Sequence, residues 1–264
     1  MSDLQVVVKR IEGEADAQQA YCCMTEVPTP WPEALCLCRG WIAQNLGRYV
    51  EGYHAQAAGQ VIGHLYYAPS ERALFPYEVE PGAAVMYCEW VQRRYQGQGV
   101  GRRLFDAFTS DLWAQSCKGI LVEGTDLEGY MDYHHYLARG FAVVHESGHA
   151  TLLRARHRKL LYLALNQPSV QARPLKPSLT PRRGIPVEIL ILSGYLCPLD
   201  VSTQILLLEV AREFGDRVVV RQESLTPETL KQYGVANGVF INGRQKLTGA
   251  ATEEAIRQAI AEEI

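Results

Sequence analysis

A few groups of residues in this 264-residue chain are of types that do chemistry. The first is Gln96-Gly97-Gln98-Gly99-Val100-Gly101. It follows an apolar run over 85–91 and leads into the amphipathic Arg102-Arg103-Leu104-Phe105-Asp106-Ala107-Phe108, so it reads as strand, glycine loop and helix. Such a junction aims several backbone N–H groups and the positive end of a helix dipole at one point, which suits a pyrophosphate. The second is Glu89, a carboxylate inside the apolar Tyr87-Cys88-Glu89-Trp90-Val91. Burying it is costly unless it has a partner or a task, and strand alternation predicts Tyr87, Glu89 and Val91 on one face. The third is Tyr136 with its neighbours His134 and His135 on a short helical segment. The last is Cys197, between a strand and a helix in Cys197-Pro198-Leu199-Asp200.

Three uses of the glycine loop compete. A triphosphate-binding P-loop needs Gly-Lys-Ser/Thr after the loop, whereas the chain has Gly101-Arg102-Arg103. A dinucleotide fold needs the loop after the first strand, with an acidic residue ~20 positions on; here about four strands come first. The third use is a cradle for another phosphate-bearing cofactor. The glycines let the backbone approach phosphate without a Cβ clash. Arg102 or Arg103 could add charge-assisted contacts, or could be a solvated first turn.

The elements that must hold these residues fall into two groups. The first has a strand over 4–8, a helix over 32–46, a hairpin of 49–56 and 60–67 about Ala57-Ala58-Gly59, the strand 85–91 and the helix 101–115. A strand 119–123, a short helix 130–138 stopped at Arg139-Gly140, and a pair at 141–145 and 150–154 follow, with 159–165 extending that pair or adding a strand. Prolines 168, 174, 177, 181 and 186 then punctuate the chain, and proline at that density reads as an extended linker. Beyond it come a strand 187–192, helix 200–214, strand 218–222 and helix 226–233 capped by Thr226 with Pro227 in its first turn. A hairpin through Asn242-Gly243 and a helix 252–264 complete a βαβ, α, ββ, α order. The expected domains are 1–167, a linker 168–185, and 186–264.

Composition limits the function classes. Apolar residues make up 47% and charged residues 21%, enough for real cores, and the net charge of −3 is no nucleic-acid footprint. No apolar run reaches a membrane span of about 20 residues, and Met1-Ser2-Asp3-Leu4-Gln5 has no basic start. Seven cysteines without a regular spacing read as reduced thiols, so the expected location is the cytoplasm. Cys22-Cys23 and Cys36-x-Cys38 match zinc spacing poorly and no metal is expected. Cys88 and Cys117 read as packing residues.

Gln96-x-x-Gly99-x-Gly101 resembles the Gln/Arg-x-x-Gly-x-Gly/Ala signature of the GNAT superfamily of acetyl-CoA-dependent N-acyltransferases. Tyr136-Leu137-Ala138-Arg139-Gly140-Phe141 resembles that family's Tyr-x-x-x-Gly-Phe block, one helix, strand and helix later. The resemblance covers roughly residues 3–165 and implies a mixed α+β sheet with helices. It implies a pantetheine arm paired with the strand ending at Val91, and a pyrophosphate received by the amides of Gln98, Gly99, Val100 and Gly101, with Gln96, Gly97 and Arg102 also among the cofactor-binding residues. It also implies Tyr136 as the acid that protonates the leaving thiolate. For the base, Glu89 acting through a water, binding a cationic substrate or pairing with an arginine all stay open. The stretch Gly124-Thr125-Asp126-Leu127-Glu128-Gly129 lacks an Asn that the family often has near its last helix, so anchoring there must differ.

The second group of elements resembles a thioredoxin-like βαβαββα unit. Cys197 stands at the active-site turn, and Asn237-Gly238-Val239-Phe240-Ile241-Asn242-Gly243 resembles that fold's Pro-Thr-Val-Phe-Ile-Asn-Gly run. Asp200 replaces the second cysteine and Asn237 the usual proline, which argues against dithiol chemistry. The two-part arrangement resembles the YoaP-like group of bacterial acetyltransferases. The expected function is transfer of acetyl from acetyl-CoA to a primary amine by direct transfer. The expected partners are acetyl-CoA and a small amine or peptide acceptor, with a homodimer as an open alternative. Acceptor loops are expected at Pro28 to Trp31 and Pro69 to Pro81. The other functional class is a thiol-linked sensor or adaptor built on Cys197.

Overall fold

The computed structural model describes all residues except 1–3, 27–30, 128, 149–156, 177, 185 and 248. The expected strand 150–154 and most of the loop at 28–31 lie outside the described residues. The chain divides into two compact units, one made of Met1–Ala73, Val79–Gly148 and His157–Ala172, the other of Arg173–Ile264 together with Leu74–Glu78.

The elements run β1 (Val7–Arg10), α1 (Glu14–Ala17), α2 (Pro32–Asn45), β2 (Glu51–Ala57), β3 (Gln60–Pro69), β4 (Tyr77–Val79) and β5 (Ala84–Val91), all in the first unit except β4, whose Tyr77 and Glu78 belong to the second. They continue as α3 (Val100–Ala114), β6 (Gly119–Thr125), α4 (Tyr133–Ala138), β7 (Ala142–Gly148) and β8 (His157–Ala164). The hairpin of β2 and β3 turns on Ala58 and Gly59, both at positive φ, as a two-residue hairpin turn with the right twist requires. Seven strands form one sheet in the order β1-β2-β3-β5-β6-β8-β7. The strand over 159–165 is therefore β8, inserted between β6 and β7. Only β5 and β6 pair in parallel among the described registers of this sheet.

Helix α3 repeats Val100, Leu104, Phe108 and Leu112 every four residues, and all four are buried. They pack with Tyr53, Tyr67, Met86, Val91, Ile120 and Tyr136 in one core. Residues of alternate orientation on β3, Tyr66 and His64, instead meet Tyr21 and the 3₁₀ turn Cys22–Glu26. There His64 Nδ1 lies 3.2 Å from the Cys22 thiol and Nε2 lies 3.5 Å from the Cys88 thiol, so Cys88 is more than a packing residue. Burial drives the His64 pKa down to about 3 and the neighbouring His54 to about 4.

The second unit contains β10 (Val187–Ser193), α5 (Pro198–Arg212), β11 (Val218–Ser224), α6 (Pro227–Tyr233), β12 (Gly238–Ile241), β13 (Arg244–Leu247) and α7 (Glu253–Ala261). The sheet order is β11-β10-β12-β13, with β10 parallel to β11 and antiparallel to β12. Asn242 and Gly243 both sit at positive φ in the β12–β13 turn. Thr226 caps α6 by accepting from Thr229 N–H, with the Thr229 hydroxyl accepting from Thr226 N–H in return.

The stretch expected as an extended linker is hydrogen-bonded along much of its length. Gln171 O accepts from Glu80 N–H at 2.9 Å, and Ala172–Pro174 is a short strand, β9. Arg182 N–H donates to Asn242 O at 2.8 Å and its guanidinium pairs with Glu188 at 2.6 Å. Proline excludes helix but not the edge strand and extended segments seen here.

Candidate active site

Strands β5 and β6 pair over Ala84–Met86 and Ile120–Val122, and the ladder stops there although β5 runs to Val91 and β6 to Thr125. Each keeps its outer neighbour, with Val91 opposite Gly63 of β3 and Thr125 opposite Arg158 of β8. The sheet therefore opens as a V at the end where α3 begins. A register shift between Tyr66 and Tyr67 makes Tyr87 an extra residue in β5. This interrupts the expected alternation at Tyr87, whose hydroxyl donates to Tyr49 O at 3.1 Å. Glu89 and Val91 do share a face, since both lie close to where a Cβ of Gly101 would be.

The chain leaves β5 through a 3₁₀ turn at Arg93–Tyr95, and the Gln96 side chain closes the loop by donating to Val91 O at 2.9 Å. Gly97 and Gly99 then take φ of 72° and 79°, the left-handed region in which a Cβ costs about 1–2 kcal/mol. Gly99 caps α3, and the first helical bond runs from Arg103 N–H to Gly99 O at 3.0 Å, so the amides before it project from the helix end. A groove of about 430 Å³ lies there. Glu89, Trp90 and Val91 line one wall; Gln96, Gly97, Gly99, Val100, Gly101 and Arg102 form the loop side; Met131, Asp132, His135, Tyr136 and Arg139 complete it. The loop amides and a cavity of this size suit a phosphate-bearing ligand with an extended arm.

Of the loop residues expected at the site, Gln98 turns aside, its side chain donating to Arg94 O at 2.8 Å. The Arg102 guanidinium is almost fully exposed and 3.6 Å from Asp106. Tyr136 is 2% exposed, packs edge-on to Phe141, and donates its hydroxyl to Met131 Sδ at 3.2 Å. A thioether is a weak acceptor, so the phenol has no strong competitor for its proton. Burial, with Glu89 adding to it, holds that phenol well above its usual pKa and therefore protonated at neutral pH. Beside it, burial and Arg139 push the His135 imidazole below its ordinary value, so His135 is neutral there and can accept a proton. His134 points to Asp132 Oδ1 instead, at 2.9 Å.

Of the roles open to Glu89, the structure shows the pair with an arginine. Arg139 Nη1 donates to Glu89 Oε2 at 2.6 Å and Nη2 to Oε1 at 3.0 Å. The two side chains are 6% and 18% exposed. In the sequence Arg139 reads only as part of a helix stop. Its signal is a single charge of the opposite sign within the block that carries Tyr136, matching the single carboxylate in β5. Where an Asn was missing, α4 is capped by Asp132, which accepts from His134 N–H. Among the described residues no group of three or more His, Cys, Asp or Glu is placed to hold a metal ion. No described helix is long and apolar enough to cross a membrane.

In the second unit Cys197 is the N-cap of α5 and lies far along the chain from the groove residues. Asp200, in the first turn, is 8% exposed; its carboxylate accepts from Asn237 Nδ2 at 2.7 Å and from Gly249 N–H at 2.5 Å.

Residues 16–141 match the family described as Acetyltransferase (GNAT) family. Among solved structures, the ribosomal-protein-S18-alanine N-acetyltransferase of Escherichia coli is similar at 15% identity and TM-score 0.47, covering 62% of this chain and 97% of that one. A GNAT family acetyltransferase of Brucella melitensis in complex with acetyl-CoA is similar at 18% identity and TM-score 0.41, covering 64% and 95%. No curated protein matches the chain. That family takes its acyl group from acetyl-CoA, and the matched span holds both the glycine loop and the Tyr136 block.

Proposed function

We propose that the chain is an acetyl-CoA-dependent N-acetyltransferase that moves acetyl directly to a primary amine of a small molecule or peptide. The observation that carries this reading is the groove where the V of β5 and β6 meets the left-handed glycines of the α3 cap, with a protonated phenol at its side. The loop amides of Gln98, Gly99, Val100 and Gly101 would take the pyrophosphate, with Arg102 adding charge at the mouth. The unpaired edge of β5 as far as Val91 would take the pantetheine arm. Tyr136 would donate to the departing thiolate, a role worth ~10²–10⁴ in rate for a positioned acid. His135 would accept the amine proton, since both line the same groove.

The second unit we read as thioredoxin-like, in the arrangement of the YoaP-like group. Its sheet order, its element order and a cysteine capping α5 support that reading. Asp200 occupies the place of a second thiol and is fully engaged, so we assign this unit no dithiol chemistry.

Mass spectrometry of products from acetyl-CoA and a panel of amines and peptides tests the transfer. Mono-acetylated amines are the expected result; products acetylated only on hydroxyl or thiol groups would refute the N-acetyl reading. Tyr136→Phe is expected to lower turnover by ~100-fold with acetyl-CoA affinity little changed. An unchanged rate would remove the acid role.

A further inference from the structure

On the acetyltransferase reading above, we propose that Glu89 and Arg139 act as one positioning unit that holds α4, and with it Tyr136 and His135, against the glycine loop, and that Glu89 is not the group that takes the amine proton. Both carboxylate oxygens of Glu89 accept from the guanidinium, at 2.6 and 3.0 Å, so its charge is already paired and one acceptor site on each oxygen is taken. The guanidinium also lies over the Phe105 ring at 4.6 Å, which fixes its plane from the α3 side.

Three elements meet at this pair. Glu89 belongs to the splayed end of β5. Arg139 caps α4, three residues after Tyr136 and four after His135, the spacings that share a helix face. The first turn of α3 rests on both: a Cβ at Gly101 would stand 3.3 Å from Glu89 Oε1 and 3.4 Å from Arg139 Nη2. Gly101 is therefore small for the ion pair beneath it as well as for the ligand in front of it. The pair is the joint between the cradle and the helix that carries the proton-handling side chains. Breaking one side leaves a buried charge unpaired, so neither partner drifts.

The pair also sets the field at His135. Besides burial, that imidazole faces Arg139, which disfavours its protonation, and Glu89 and Asp132, which favour it. Removing one partner shifts His135 in one direction, and removing the other shifts it the opposite way. A purely structural contact would have no such sign.

The test is an NMR titration of His135 in the full chain, assigned with a His135→Gln variant, alongside acetyl-CoA turnover measured as CoA release. Glu89→Gln is expected to lower the His135 pKa and Arg139→Gln to raise it. Each is expected to cut turnover by roughly tenfold while acetyl-CoA affinity stays within about threefold. Arg139→Lys keeps the charge but loses the fork; it should preserve the titration and still lose turnover, which keeps the proposal testable if a neutral variant misfolds. A His135 titration that ignores both neutral variants overturns the proposal. So does a loss of ~100-fold or more in Glu89→Gln alone, with Arg139→Gln near wild type, because that is the signature of a base. Failure of the wild-type chain to bind acetyl-CoA would sink the function reading, and the titration would still decide the pair.

Discussion

Two long helices of this chain start straight after a buried strand, and their first turns have opposite fates. Helix α3 begins on Gly99 in the left-handed region, has no acidic residue in its first turn, and faces a groove. Helix α5 begins on Cys197 in extended conformation, has Pro198 next, and carries Asp200 inside its first turn. That carboxylate already accepts from Asn237 and from the Gly249 amide. Both junctions present a helix dipole, so the dipole does not make the difference. The first keeps room in front of its amides because Gly97, Gly99 and Gly101 bring no Cβ to the loop. The second supplies its own anion and spends its polar groups within the unit. A strand–turn–helix junction becomes a binding cradle only when its first turn is left unfilled.

Acid should separate the two units most strongly. His54 and His64 are buried in the first, with pKa values near 4 and 3, whereas 173–264 contains no histidine. Both imidazoles are neutral in the folded chain and take up protons in the unfolded one below pH ~6.5, so the unfolded state binds more protons and stability falls as pH drops. At about 1.4 kcal/mol per unit for each group, the first unit should lose on the order of 5 kcal/mol between pH 6.5 and 4.5 through these two residues. Urea melts across that range, followed by NMR signals from each unit, would show the first unit failing earlier. Coincident losses would break this part of the comparison.

Next in size is the cradle. Gly99→Val puts a β-branched side chain at φ 79° and should weaken acetyl-CoA binding by ~100-fold or more, because the loop must leave the left-handed region to relieve it. Calorimetry that returned wild-type affinity would show that the loop geometry does not hold the ligand. Asp200→Ala should instead cost the second unit about 1–3 kcal/mol, by orphaning the Gly249 amide, and leave acetyl-CoA affinity alone. Thermal melts and calorimetry on that variant measure the two effects separately. Smallest of all, Cys197→Ser should change melting stability by under ~0.5 kcal/mol, since serine is itself a favoured N-cap of similar size. A marked loss of acetyl-CoA turnover in Cys197→Ser would mean that the second unit serves the chemistry.

Much of this was legible before any coordinates. The glycine loop and Tyr136 were readable because left-handed glycines and a helix-borne tyrosine leave fixed spacings in the chain. The hairpins were readable from Ala58-Gly59 and Asn242-Gly243, whose positive φ limits the residues allowed. Strand order was not: β8 slots between β6 and β7, and no local pattern reports such an insertion. The bulge at Tyr87 also escaped, since one extra residue leaves an apolar run looking continuous. Glu89 reads in the sequence as a carboxylate needing a partner or a task, but its partner lies 50 residues on, beyond any periodicity. The Cys22–His64–Cys88 contact has the same origin, three separate elements brought together by tertiary packing.

The central claim is that the α3 junction is a coenzyme A cradle and the α5 junction is not. Isothermal calorimetry of the full chain with acetyl-CoA tests it most directly. The account predicts one acetyl-CoA per chain, bound with an affinity that Gly99→Val removes and Asp200→Ala leaves intact. Absence of binding at roughly millimolar acetyl-CoA, where a functional donor site of ordinary KM would fill, would contradict it.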